Sequence, residues 1–144
     1  AGLLGFAHTL PQTNLYTHGT LVTAMHGHLA FWGAYAMIVL AIISYSLPNM
    51  TGRKLYESSR GRMAFWLSNI GMIGMTVSFG VAGVAQVYLE RIMKIEFMEV
   101  QKMTEIHFMV LIVCATFFTT GAILYMIDFY KHGKPTDEAL EITN

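Results

Sequence analysis

TLVTAMHGHLAFWGAYAMIVLAIISYSL, from Thr20 to Leu47, contains no Asp, Glu, Lys or Arg. It is longer than the roughly 20 apolar residues that a helix needs to cross a bilayer. It ends at Pro48, in the predicted turn Pro48-Asn49-Met50-Thr51-Gly52. Two further stretches have the same character, Met63 to Leu89 and Ile106 to Ile127, each without an acidic residue, lysine or arginine. Backbone in lipid must satisfy its own hydrogen bonds, so all three are expected to be helices.

The composition agrees with that reading. Hydrophobic residues make up 54% of the 144 and charged residues 12%, against roughly a quarter charged in a soluble domain. No charge precedes Arg53. A chain of this size cannot hide so much apolar surface from water. A soluble enzyme, a secreted disulfide domain and a disordered tail are excluded. The single cysteine, Cys114, rules out an internal disulfide and a cysteine-cluster metal site. Zero net charge argues against a nucleic-acid partner.

The organisation expected is an all-α integral membrane chain. Residues 1–19 are the end of a preceding helix, Ala1–Ala7, and a polar outer loop, Pro11–Gly19. A first spanning helix covers 20–48, an inner loop 49–62 and a second spanning helix 63–90. An outer loop at 91–104, a third spanning helix at 105–130 and an inner C-terminal tail at 131–144 complete it. The front has no initiator Met, basic segment or small-residue cleavage site, so it is not read as a signal peptide. The expectation is a C-terminal piece of a larger polytopic protein, or a subunit that completes one.

Lys and Arg set the orientation. Arg53, Lys54, Arg60, Arg62, Lys131 and Lys134 fall on one side, and Arg91, Lys94 and Lys102 on the other. The bias puts the first interhelical loop and the C-terminus inside, and Thr20 at the outer face. The second span is rich in small residues, Ser68, Gly71, Gly74, Ser78, Gly80 and Gly83, which let helix backbones approach closely in lipid. Packing is their expected role, although Gly83 and Gln86 also suit a polar cavity.

Met25-His26-Gly27-His28-Leu29 carries the chemical signal. His26 lies roughly 9 Å in from Thr20 at 1.5 Å per helical residue. A histidine at that depth needs a partner. Two residues apart on a helix means about 200° apart, so His26 and His28 cannot chelate one metal. They can ligate two centres on opposite sides, and imidazole is a common axial ligand of haem iron. Two separate histidines, each bonded to a neighbouring helix carbonyl, fit the spacing equally well.

The wider context shifts the balance. Tyr16-Thr17-His18-Gly19-Thr20, the run Ala24-Met25-His26-Gly27-His28-Leu29-Ala30-Phe31-Trp32-Gly33-Ala34-Tyr35, and the exit Ile42-Ile43-Ser44-Tyr45-Ser46-Leu47-Pro48 resemble the large, cytochrome b subunit of bacterial nitric oxide reductases. These form the nitric-oxide-reducing branch of the haem-copper oxidase superfamily. The likeness covers nearly the whole chain and matches the last three helices of a twelve-helix bundle, plus the end of the one before. Gly27 stands where oxygen-reducing members usually carry a bulky aromatic.

The resemblance implies roles. His26 would be the proximal ligand of the high-spin haem b3, where nitric oxide reacts, and His28 an axial ligand of the low-spin haem b. His18 and Thr20 are candidates to hydrogen-bond a haem propionate. The non-haem iron, and the second ligand of haem b, would be held by residues outside this chain. The remainder of the large subunit is then an obligatory partner, and a cytochrome c subunit is the expected electron donor. Localisation in the bacterial inner membrane follows. This chain alone would not be active.

Other polar residues carry less. His8 and Asn14 receive no role. His107 and Glu105 are read as an interfacial anchor of the third helix, and His132, Lys131 and Lys134 as an inner-surface anchor. Trp32, Trp66 and the eleven methionines are packing residues. Asp128 and Glu90 bound the apolar spans.

Two other functions use the same features: a piece of an oxygen-reducing oxidase, and a cofactor-free structural subunit. Pyridine haemochrome spectra with iron and copper analysis of the purified complex separate them. Protohaem with non-haem iron and no copper is the expected result. Copper would move the chain to the oxygen-reducing branch, and absence of haem would leave a packing subunit.

Overall fold

A computed structural model describes residues 2–51 and 59–133. All regular structure in those residues is helical. Helix α1 is Gly2–Thr9, α2 Pro11–Thr17, α3 Leu21–Ala30 and α4 Met37–Met50. After these come α5, Ser59–Gln86, α6, Phe97–Met103, and α7, Glu105–His132. A π-helical segment, Phe31–Ala36, joins α3 to α4, and another, Val87–Ile92, extends α5. Among the described residues three helices are long and apolar enough to cross a membrane: Leu21–Met50, Ser59–Ile92 and Glu105–Lys131.

Several boundaries differ from the sequence expectation. The first spanning helix does not stop at Pro48 but runs to Met50. Proline removes one backbone donor, and nearby side chains bind the last-turn carbonyls: Asn49 Nδ2 donates to the Tyr45 carbonyl at 2.9 Å and Thr51 Oγ1 to Leu47 at 2.8 Å. The expected polar loop Pro11–Gly19 is mostly helix α2. Pro11 opens it, at the position where a missing N–H and a fixed φ cost nothing. The outer loop at 91–104 contains α6, capped by the Glu96 carboxylate on Met98 N at 3.0 Å. Arg53, Lys54, Lys134 and the tail beyond Gly133 lie outside the described residues.

The second spanning helix occupies the centre. On one face Gly71 leaves room for α7, where a Cβ would reach the Phe118 nitrogen at 2.5 Å and the Cys114 carbonyl at 2.6 Å. Gly121 returns the contact from α7, since its Cβ would meet Ser68 N at 2.6 Å and the Ala64 carbonyl at 2.8 Å. On the other face Gly83 admits the backbone of Leu21 and Val22 of α3. Water expulsion drives nothing inside lipid, so this backbone proximity, with its dispersion contacts, holds the helices together. The small-residue expectation for this helix thus has a physical basis in both faces.

Polar groups pin the two ends. The wholly buried Asp128 of α7 pairs with Arg60 Nη1 at 3.5 Å. At the opposite end Arg91 Nη2 donates to the His18 carbonyl at 3.2 Å. Along α7, the His107 carbonyl accepts from Ser78 Oγ at 2.7 Å. His107 is half-buried, with Nδ1 buried and unpartnered.

Gly121→Ala places a methyl against backbone, which cannot yield cheaply, and should cost about 1–3 kcal/mol as overpacking does. Gly80→Ala meets only the flexible Met25 thioether and should cost less. Thermal unfolding of the detergent-solubilised complex checks the order; equal midpoints would contradict the packing described.

Candidate functional site

The site is built on α3. Gln86 of α5, 4% exposed, accepts from Leu21 N at 3.0 Å through Oε1 and donates to Glu90 Oε1 at 2.9 Å through Nε2. The first N–H groups of a helix have no partner within it, and Thr20 at the cap position makes no side-chain cap. A side chain from another helix therefore caps α3. The polar reading of Gln86 becomes a specific one: it fixes the depth at which the histidine helix begins.

One turn further in, His26 and His28 face different neighbours. The His26 ring lies against α1. Its centroid is 5.5 Å from that of His8, with the rings tilted by 48°. Beside it, Gly5 supplies no side chain, and a Cβ there would come to 3.1 Å from Cε1 and 3.2 Å from Nε2. Both His26 Nδ1 and His8 Nε2 are buried without hydrogen-bond partners.

The His28 ring turns the other way. It sits on Phe79 of α5, with centroids 4.9 Å apart and a 40° tilt. Its Nδ1 lies 2.8 Å from the Ala24 carbonyl. A carbonyl oxygen only accepts, so Nδ1 carries a hydrogen, and in the neutral ring the lone pair is left on Nε2. The ring is exposed on the surface of the three-span unit. It opens on a cavity of about 500 Å³ lined by Ala24, Gly27, Phe31, Met72 and Phe118. Gly27 adds no bulk, and nothing lies within 4 Å of a Cβ built on it.

These residues fit a haem on two counts. His28 has the ligand tautomer, with its N–H engaged and Nε2 free, which is how metal-binding histidines are held. His26 has a glycine, Gly5, beside its Nε2 edge, where side-chain bulk is missing. Among the described residues no three His, Cys, Asp or Glu side chains cluster to hold a bare metal ion.

The other candidates separate. His18 ends α2 and is exposed at the turn into α3, next to Gly19, whose φ of 72° suits glycine. Thr20 does not suit a propionate, because it is buried and its one hydroxyl hydrogen goes to the Thr17 carbonyl at 2.7 Å. Trp32 is more than packing: its Nε1 donates to Asn69 Oδ1 at 3.2 Å and its ring meets Phe118 edge-on.

Sequence reasoning missed Phe79 and His8. Each stands on another helix, and only the fold brings it against a paired histidine. A histidine in an apolar segment was the available signal for His8; nothing marked Phe79 among the aromatics.

The family described as cytochrome c and quinol oxidase polypeptide I matches residues 1–118. The nitric oxide reductase B subunit of Stutzerimonas stutzeri is 40% identical over 142 residues, which cover 93% of this chain and 30% of the relative. The chain thus spans about 30% of the length of the curated relative it matches.

Gln86→Leu keeps the volume and removes the cap acceptor. The Leu21 N–H is then left unsatisfied, at a cost of about 1–3 kcal/mol. Thermal unfolding of the complex should show the loss; an unchanged midpoint would deny Gln86 its capping role.

Proposed function

The chain belongs to the cytochrome c and quinol oxidase polypeptide I family, and on that premise we propose that it is the haem-ligating part of a nitric oxide reductase catalytic subunit. It is a multi-pass membrane chain, and in the proposed setting the membrane is the bacterial inner one, with the C-terminus cytoplasmic. The reaction is the reduction of two nitric oxide molecules, with two electrons and two protons, to nitrous oxide and water. The observation that carries the reading is the pair of histidine rings on opposite sides of one spanning helix, His26 against α1 and His28 against Phe79 of α5 with its Nδ1 engaged and Nε2 left for a ligand. The 40% identity to a nitric oxide reductase B subunit, together with Gly27 between the histidines, favours the nitric-oxide branch.

The residues have distinct tasks. His28 would hold the low-spin haem b through Nε2, with the Ala24 carbonyl and Phe79 fixing the ring. His26 would hold haem b3 from one side only. Haem iron at these positions supplies electron transfer and a binding site for nitric oxide. Phe31, Met72 and Phe118 make the cavity wall beside His28 apolar. His18, exposed at the outer turn, remains the candidate contact for a propionate. Non-haem iron and the second ligand of haem b would come from the rest of the large subunit, and electrons from a cytochrome c subunit.

His28→Ala in the full complex should abolish the low-spin haem spectrum while the high-spin haem is retained. His26→Ala should do the reverse. Unchanged haem spectra in both variants would overturn the reading.

A further inference from the structure

His8 has no part in the function so far, yet it is one of two buried, unpartnered imidazole nitrogens on neighbouring rings. His8 Nε2 and His26 Nδ1 both lack a hydrogen bond, and the ring centroids are 5.5 Å apart. Buried polar groups are paired in more than about nine cases in ten, so two orphans side by side call for a joint explanation. Inside a membrane the cost is greater, because no water reaches them.

The distance suits a direct bond. An N–H···N contact of about 3 Å, plus roughly 1 Å from each nitrogen to its ring centroid, places two imidazoles about 5 Å apart. A small rotation of either side chain closes the rest, and ring rotation is soft about the terminal sp² torsion. The sequence spacing supports the pairing. Gly5 and His8 are three residues apart on α1 and share a face. Gly5 clears room for the His26 ring, and His8 stands one turn beyond.

We propose that His8 is the positioning residue of His26, its Nε2 accepting the hydrogen that His26 carries on Nδ1. That bond makes Nε2 the lone-pair nitrogen of His26 and raises its basicity as a ligand, the usual effect of a partner behind a metal-bound imidazole. The arrangement parallels His28, where the Ala24 carbonyl does the same for the other ring. One histidine is thus oriented from within its own helix and the other from α1. The inference rests on His26 being the ligand of the high-spin haem.

The test uses the complete complex with His8→Phe and His8→Gln. Resonance Raman spectra of the reduced high-spin haem read the iron–imidazole stretch, and a redox titration reads its potential. In His8→Phe the stretch should shift to lower frequency and the potential should rise, with haem content unchanged. His8→Gln, which keeps an acceptor, should restore both towards wild type. Wild-type stretch and potential in His8→Phe would overturn the proposal and leave His26 as ligand. If His8→Phe fails to assemble, His8→Leu, which also removes the acceptor, takes its place in the same measurement: a lowered stretch sustains the bond, and a wild-type stretch refutes it. Failure of the underlying reading looks different, as an iron–imidazole band that survives in His26→Ala.

Discussion

The close approach of α5 to its two neighbours is the constraint on which the rest depends. Gly71 and Gly121 bring the α5 and α7 backbones together, and Gly83 brings in the start of α3. In lipid there is little gain from burying one apolar chain against another. Stability has to come from dense short-range contact, and glycine is the residue that permits it. With α7 locked on one face, the other face of α5 is free to carry α3. The height of α3 is then set by Gln86, which reaches across to its first backbone N–H.

From that height the histidines inherit their surroundings. Phe79 lies on the α5 face turned to α3 and supports His28. The Ala24 carbonyl, one turn back on the same helix, takes its Nδ1 hydrogen. A π-helical segment follows at once, from Phe31 to Ala36. Such segments add a residue to the turn and rotate what lies beyond them, and they recur at functional sites. Here the rotation sits between the histidines and α4, where Trp32 bonds to Asn69. The aromatic residues past the histidines are therefore aimed separately from the histidines themselves.

The outer surface of this unit is largely apolar. Phe31, Tyr35, Ile38, Val39 and Ile42 of the first span are all exposed. A polar ring such as His28 in that belt would be costly against lipid alone. In the proposed setting the exposed ring and the cavity beside it would be covered. The proposed haem and the rest of a larger subunit are the covering that the family and the relative's length suggest.

Much was legible in the residues. Uncharged runs located the three spanning helices, because lipid tolerates neither charge nor unpaired backbone. The i, i+2 spacing alone required His26 and His28 to face apart, since helical geometry is fixed at 3.6 residues per turn. Helix ends were less legible. Pro48 looked terminal, but neighbouring side chains carried the helix to Met50, and Pro11 opened a helix where a loop was expected. Partner identities could not be read at all. Nothing local marks Gln86 as the cap of a helix that starts at Leu21, Arg60 as the partner of Asp128, or His8 as the neighbour of His26. Those pairs are distant along the chain, and only packing brings them within the few ångströms over which a hydrogen bond or ion pair acts.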